Sequence, residues 1–210
     1  MDAQFWQHRW QNNEIGFHLS DTNPLLIAHF DAMKLSQGSR VFLPLCGKTK
    51  DIAWFLSKGM TLVGAELSRL AVEQLFDELG LNPSITSQHG MEVFRSEHIE
   101  ILNGDFFSLS AGDLGQVDAI YDRAALIAMP ETMRTQYALH LMAITAKARQ
   151  LLITLDYDQQ MMDGPPFSVT ANEVTRHYNE HYQLSLLGDY PIEGGVKGKC
   201  PGNEKVWLLE

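Results

Sequence analysis

The chain carries none of the glycine-rich loops that bind phosphate. Neither G-x-G-x-x-G nor G-x-x-x-x-G-K-[ST] occurs, and the G-x-S-x-G elbow of a serine hydrolase is absent too. Dinucleotide, phosphoryl-transfer and hydrolase chemistry therefore have no anchor. Positive charge is scarce: 16 Lys and Arg stand against 26 Asp and Glu, for a net charge of −10 and a pI near 5.2. That balance argues against nucleic acid, which is bound by clustered cations that release phosphate counterions. No apolar run approaches the roughly 18 residues of a membrane span. The start, Met1-Asp2-Ala3-Gln4, has neither the basic nor the apolar region of a signal peptide, so a cytoplasmic protein is expected. Only two cysteines, Cys46 and Cys200, occur, far apart, and free thiols are expected of both.

With 210 residues, 45% of them hydrophobic, the chain can bury the core of one α/β domain and is short for two. The stretch that organises it is Pro44-Leu45-Cys46-Gly47-Lys48. The run Arg40-Val41-Phe42-Leu43 before it has the continuous apolar character of a strand buried on both faces. After it, Ile52, Ala53, Phe55 and Leu56 fall at helical spacing within 49–58. Strand, tight turn and helix bring backbone N–H groups and a helix start to one point, where open parallel sheets bind ligands.

A second run, Thr61-Leu62-Val63-Gly64-Ala65, ends at Glu66, 21 positions after Leu45. An acid at that spacing accepts hydrogen bonds from the hydroxyls of an adenosine ribose. NAD and S-adenosylmethionine share that ribose. Without pyrophosphate-cradling glycines, S-adenosylmethionine is the better fit.

Downstream, Ser68 is placed to cap a helix that ends at Gly80, and a polar loop then leads to a third strand, Ile99 to Leu102. Asp105 and Phe106 at its tip suit an adenine, or serve as a turn residue and a core ring. Val117 to Tyr121 is a fourth strand delivering Asp122 and Arg123, an ion pair or a guanidinium offered to a ligand. Pro130 opens a helix, Leu151 to Leu155 is a fifth strand, and Gly164-Pro165-Pro166-Phe167 makes an apolar ledge. A helix from Thr170 and two strands, Leu184 to Leu187 and Lys205 to Leu209, complete the chain. At the other end Phe5, Trp6, Arg9 and Trp10 share a helical face near Phe17. They form either part of the permanent core or a lid, with residues 1–33 as its extent. His177 and His181 have metal-ligand spacing but lack the glutamate of H-E-x-x-H, so no metal is expected. Cys46 has only Lys48 as a basic neighbour and is better read as a buried thiol than as a nucleophile.

Together FWQHRW, VFLPLCGKTKDIAWFLSKG, VGAELS, GDFF, VDAIYDRAALIAMP and GPPFSV resemble the bacterial branch of the thiopurine S-methyltransferase family. The resemblance runs from Phe5 to Val169. It implies a doubly wound methyltransferase fold of seven strands, mostly parallel, with an antiparallel last strand. It also implies S-adenosylmethionine contacts at Trp10, Leu45, Glu66 and Arg123, adenine contacts at Asp105 and Phe106, and an aromatic thiol lodged among Phe17, Arg123, Pro165 and Pro166. No residue is expected to serve as an obligate base. A monomer acting on a small aromatic thiol such as a thiopurine is the expectation. A methyltransferase for selenium or tellurium species, or a non-catalytic cofactor-binding module, are its rivals.

Overall fold

The computed structural model describes residues 3–210; Met1 and Asp2, the first residues of the expected lid and domain, lie outside it. The chain opens with helices α1 (Ala3–Gln11) and α2 (Pro24–His29) and enters the sheet at β1 (Arg40–Leu43). It continues through α3 (Asp51–Ser57), β2 (Thr61–Glu66) and α4 (Arg69–Leu79). The hairpin β3 (Ser84–Gln88) and β4 (Met91–Ser96) follows, then β5 (Ile99–Asn103) and the single turn α5 (Ala111–Leu114). Next come β6 (Ala119–Arg123), α6 (Glu131–Ile144), β7 (Arg149–Tyr157), α7 (Ala171–Tyr178), β8 (Leu184–Pro191) and β9 (Gly202–Leu209).

The strands form one sheet in the order β3-β4-β5-β2-β1-β6-β7-β9-β8. The five central strands are parallel, and β9 runs antiparallel between β7 and β8. The expected doubly wound fold with a reversed last strand is what forms. Strand alternation sends neighbouring residues into two cores. On one face Leu26, Met33, Ile52, Phe55 and Phe76 cover Val41, Leu62, Tyr121 and Val206. On the other, Tyr137, Leu141, Val174 and Tyr178 cover Phe42, Val63, Ile120 and Trp207. Each fully buried side chain of this size contributes about 1.5–3 kcal/mol.

Two expectations are corrected here. The sheet has nine strands, because the segment read as a polar loop is the hairpin of β3 and β4. The signal was masked on β3, whose residues are all exposed. His89 and Gly90 both adopt left-handed conformations, φ +48° and +83°, as a two-residue hairpin turn requires. The expected lid, residues 1–33, does not stand apart from the domain over its whole length. Leu25, Leu26 and Met33 are buried in the sheet's core, which ties α2 and the turn after it to the domain.

Candidate active site

β1 lies between β2 and β6, so chain crossovers leave it in opposite directions and a crevice opens at the carboxyl ends of these three strands. The turn after β1 is held open by backbone conformation. Leu45 and Gly47 both take left-handed φ, +48° and +52°, and the strain at Leu45 marks the turn as one shaped for a ligand. A side chain on Gly47 would press on Trp10, whose ring lies 3.0 Å from where its Cβ would sit. Cys46 is buried against Gly64, its thiol pushed well up by burial and by the Glu66 charge. It is therefore a packing thiol. Lys48 is held by Glu78 at 2.7 Å, and Lys50 by the same carboxylate at 2.5 Å. These two bonds hold the Glu78 carboxyl down at about 2.

Glu66, at the tip of β2, is buried and braces this turn. One carboxylate oxygen accepts the Gly47 N–H at 2.8 Å and the other the Ser68 N–H at 2.7 Å. Burial raises its pKa, and the backbone N–H groups of Ser68, Gly47 and Leu67 oppose the rise. Ser68 in turn caps α4, its hydroxyl accepting the Ala71 N–H.

β6 supplies a different pair from the one expected. Asp122 and Arg123 do not form an ion pair, because successive strand residues point to opposite faces. Asp122 is wholly buried on the α6 side, accepting from the Tyr137 hydroxyl at 2.8 Å and the Leu126 N–H at 3.1 Å. Burial pushes its carboxyl up to about 6 against those bonds. Arg123 points into the crevice and makes no hydrogen bond or ion pair among the described residues. Ala124 follows with φ +66°, a strained turn anchored by the Asp122–Leu126 bond.

The crevice deepens into a cavity of about 520 Å³. Trp10, Phe17, Leu45, Glu66, Arg123, Pro165 and Pro166 all line it, so seven predicted positions from six separate segments converge. Trp10 is 5% exposed and meets Phe17 edge to face at 5.6 Å; Trp6 meets the same ring at 5.6 Å. Asp51 fastens this side to the sheet, accepting the Asn23 N–H at 2.7 Å and the Tyr121 hydroxyl at 3.1 Å.

Asp105 and Phe106 are not brought into the cavity. The Asp105 carboxylate accepts the Phe107 N–H at 3.1 Å, capping a short turn. Phe106 packs in the core, 5.0 Å from Tyr137 and 5.1 Å from His140 between ring centroids. Burial of an aromatic ring outweighs its exposure at the strand tip. His177 faces Glu173 at 3.2 Å beside the Arg134–Glu173 pair, and no cluster of three or more metal-ligating side chains occurs among the described residues. Trp6, Asp51, Tyr121 and Glu204 also line the cavity and were not singled out from sequence as site residues. Only the aromatic face shared by Trp6 and Trp10 was a usable signal.

This strand order, with an acid at the tip of β2 beside a cavity at the switch point, defines a class I S-adenosylmethionine-dependent methyltransferase. Solved structures agree on the fold. The 1,6-didemethyltoxoflavin-N1-methyltransferase of Burkholderia thailandensis superposes with a TM-score of 0.65 at 13% identity, covering 99% of this chain and 86% of that one. An S-adenosylmethionine-dependent methyltransferase from Anabaena variabilis gives 0.65 at 14% identity, with 99% and 93% covered. The chain belongs to the thiopurine S-methyltransferase (TPMT) family, which it matches over residues 1–205. It is 48% identical over 211 residues to the thiopurine S-methyltransferase of Xanthobacter autotrophicus, covering 100% of this chain and 99% of that one. The Pseudomonas aeruginosa protein of the same name, from strain PAO1, is 47% identical over 219 residues, with 100% and 99% covered. It is an enzyme, and its cofactor is S-adenosylmethionine.

Proposed function

We propose that this methyltransferase acts on the sulfur of aromatic and heterocyclic thiols, thiopurines among them. The observation that carries this reading is one cavity joining the acid of β2 to an apolar wall and an unpaired guanidinium. The donor fits the near end. Each Glu66 oxygen uses one lone pair on a backbone N–H and keeps another for a ribose hydroxyl. Trp10 and Leu45 enclose the same end. When bound, S-adenosylmethionine supplies an electrophilic methyl group on its sulfonium.

The far end suits a flat ring. Phe17, Pro165 and Pro166 offer apolar faces, and Arg123 offers a planar fork of donors to sulfur or to a ring substituent. Apolar walls favour such an acceptor over a compact selenium or tellurium oxyanion, whose desolvation they would not repay. Aligning sulfur, methyl and sulfonium lowers the barrier by up to about 7–11 kcal/mol through proximity and orientation. Residues 3–22 then act as the lid, with Trp6, Trp10 and Phe17 as its inner surface.

The chain builds the whole cavity by itself, which supports a monomer. Its two buried free cysteines support a reducing cytoplasm, and an apolar acceptor end supports a role in clearing foreign thiols. No helix among the described residues is long and apolar enough to cross a membrane, and the net charge of −10 speaks against nucleic acid. The test is to bind S-adenosylmethionine by calorimetry and then assay a panel of thiophenols and thiopurines beside selenite and tellurite. Cofactor binding without methylation of any thiol would refute the acceptor.

A further inference from the structure

Besides Glu66 and Asp51, a third carboxylate lines the cavity. Glu204 lies on β9, paired with Leu155 of β7, and β7 separates it from Arg123 on β6. The register Arg123↔Ile153↔Val206 places Glu204, two residues before Val206, on the same face of the sheet as Arg123. Strands two places apart stand about 10 Å apart. Arg123 and Glu204 make no ion pair with each other, and Glu204 makes no side-chain hydrogen bond among the described residues. A guanidinium and a carboxylate therefore flank a space floored by Ile153 and Leu155, beside Pro165 and Pro166.

We propose that Glu204 is the base that takes the proton from the acceptor, either S–H or the ring N–H of a thione, as sulfur is methylated. This rests on the thiol reading above. In the step, a sulfur lone pair forms the new S–CH3 bond while the donor's C–S bond breaks and its electron pair returns to the former sulfonium sulfur. The acceptor proton passes to a Glu204 oxygen and then to water, so charge and atoms balance.

The surroundings support a base in this place. Burial raises the Glu204 carboxyl above its ordinary pKa, which strengthens it as a proton acceptor, and the Arg123 guanidinium opposes the rise. Tyr121 on β6 feels the Glu204 charge and Tyr190 stands opposite Glu204 on β8. Lys197 in the β8–β9 connection and Arg9 and His18 from the N-terminal segment line the same cavity. Tyr121 is held protonated by burial and by Asp51. Tyr190 shares a hydrogen bond with His29 at 2.8 Å, and Lys197 donates to the Pro165 carbonyl at 2.6 Å. Glu204 is the carboxylate at this end with accepting capacity left over.

The experiment compares wild type, Glu204→Gln and Glu204→Asp on thiophenols of rising pKa and on a thione, across pH. In Glu204→Gln the loss of kcat/KM should grow with acceptor pKa, reaching about 100-fold for acceptors still protonated at the assay pH. It should shrink as pH rises through the acceptor's own pKa, and Glu204→Asp should recover part of it. Calorimetric affinity for S-adenosylmethionine should hold in both variants. A loss uniform across acceptors and pH, or no loss, would overturn the role of Glu204 while leaving thiol methylation standing. Wild type that methylates no thiol would overturn both.

Discussion

The Glu66 carboxylate accepts the Gly47 N–H at 2.8 Å, so one side chain ties the tip of β2 to the turn after β1. Its other oxygen holds Ser68. Glu66→Ala should therefore lower S-adenosylmethionine affinity by about 2–4 kcal/mol. It should also destabilise the fold by about 2–4 kcal/mol, since two buried N–H groups lose their acceptor. Calorimetry and urea unfolding measure the two separately. Unchanged affinity with reduced stability would leave Glu66 a brace for the turn and no more.

Asp122 should impose a pH dependence of its own. Its folded pKa, about 6, lies above the ordinary 3.8, so the folded state holds the proton more tightly. The stability from this group is fully present below about pH 4 and is lost as pH rises through 6, by about 3 kcal/mol in all. Asp122→Asn removes that change. Urea unfolding of both proteins from pH 4 to 7 should show the wild-type advantage shrinking as pH rises. A constant difference would mean that Asp122 titrates at its ordinary value.

Ala124 sits at φ +66°, which costs an L-residue about 1–2 kcal/mol. Ala124→Gly relieves that strain but adds about 0.4–1 kcal/mol of unfolded-state entropy. The net should be a gain of about 0.5–1 kcal/mol, seen as a Tm about 1–3 °C higher. A lower Tm would show that the turn is not strained.

Arg123→Lys keeps the charge and loses the planar fork. If the guanidinium serves the cofactor, affinity for S-adenosylmethionine and for its demethylated product should fall. If it serves the acceptor, both affinities should hold and kcat/KM should drop by about 10–100-fold, on the order of one to three kcal/mol. Loss of neither would make Arg123 a bystander in the cavity.

The N-terminal segment is fixed to the domain chiefly through Trp10, while Phe5 stays 38% exposed. Backbone N–H groups in α1 should exchange faster than those of β1 in the free protein and slow on cofactor binding. Equal protection of α1 and β1 without ligand would place Trp6 and Trp10 in the permanent core.

Much of the site was readable in one dimension because it depends on local order. The apolar run of β1, the glycine in the turn and the acid 21 positions after Leu45 are each local signals of strand, turn and strand tip. The aromatic face of α1 and the two prolines were legible for the same reason. Tertiary structure decided what local order leaves open. Asp122 and Arg123 are adjacent in sequence, and pleating sends one into the core beneath α6 and the other into the cavity. Phe106 had a strand tip's freedom, and packing against Tyr137 and His140 took it inward. Glu204 was invisible in an alternating strand. It acquires a neighbour in Arg123 only because β9 folds back between β7 and β8, and a pairing between distant strands is settled by the hydrophobic closure of the whole sheet, which no single stretch of sequence encodes.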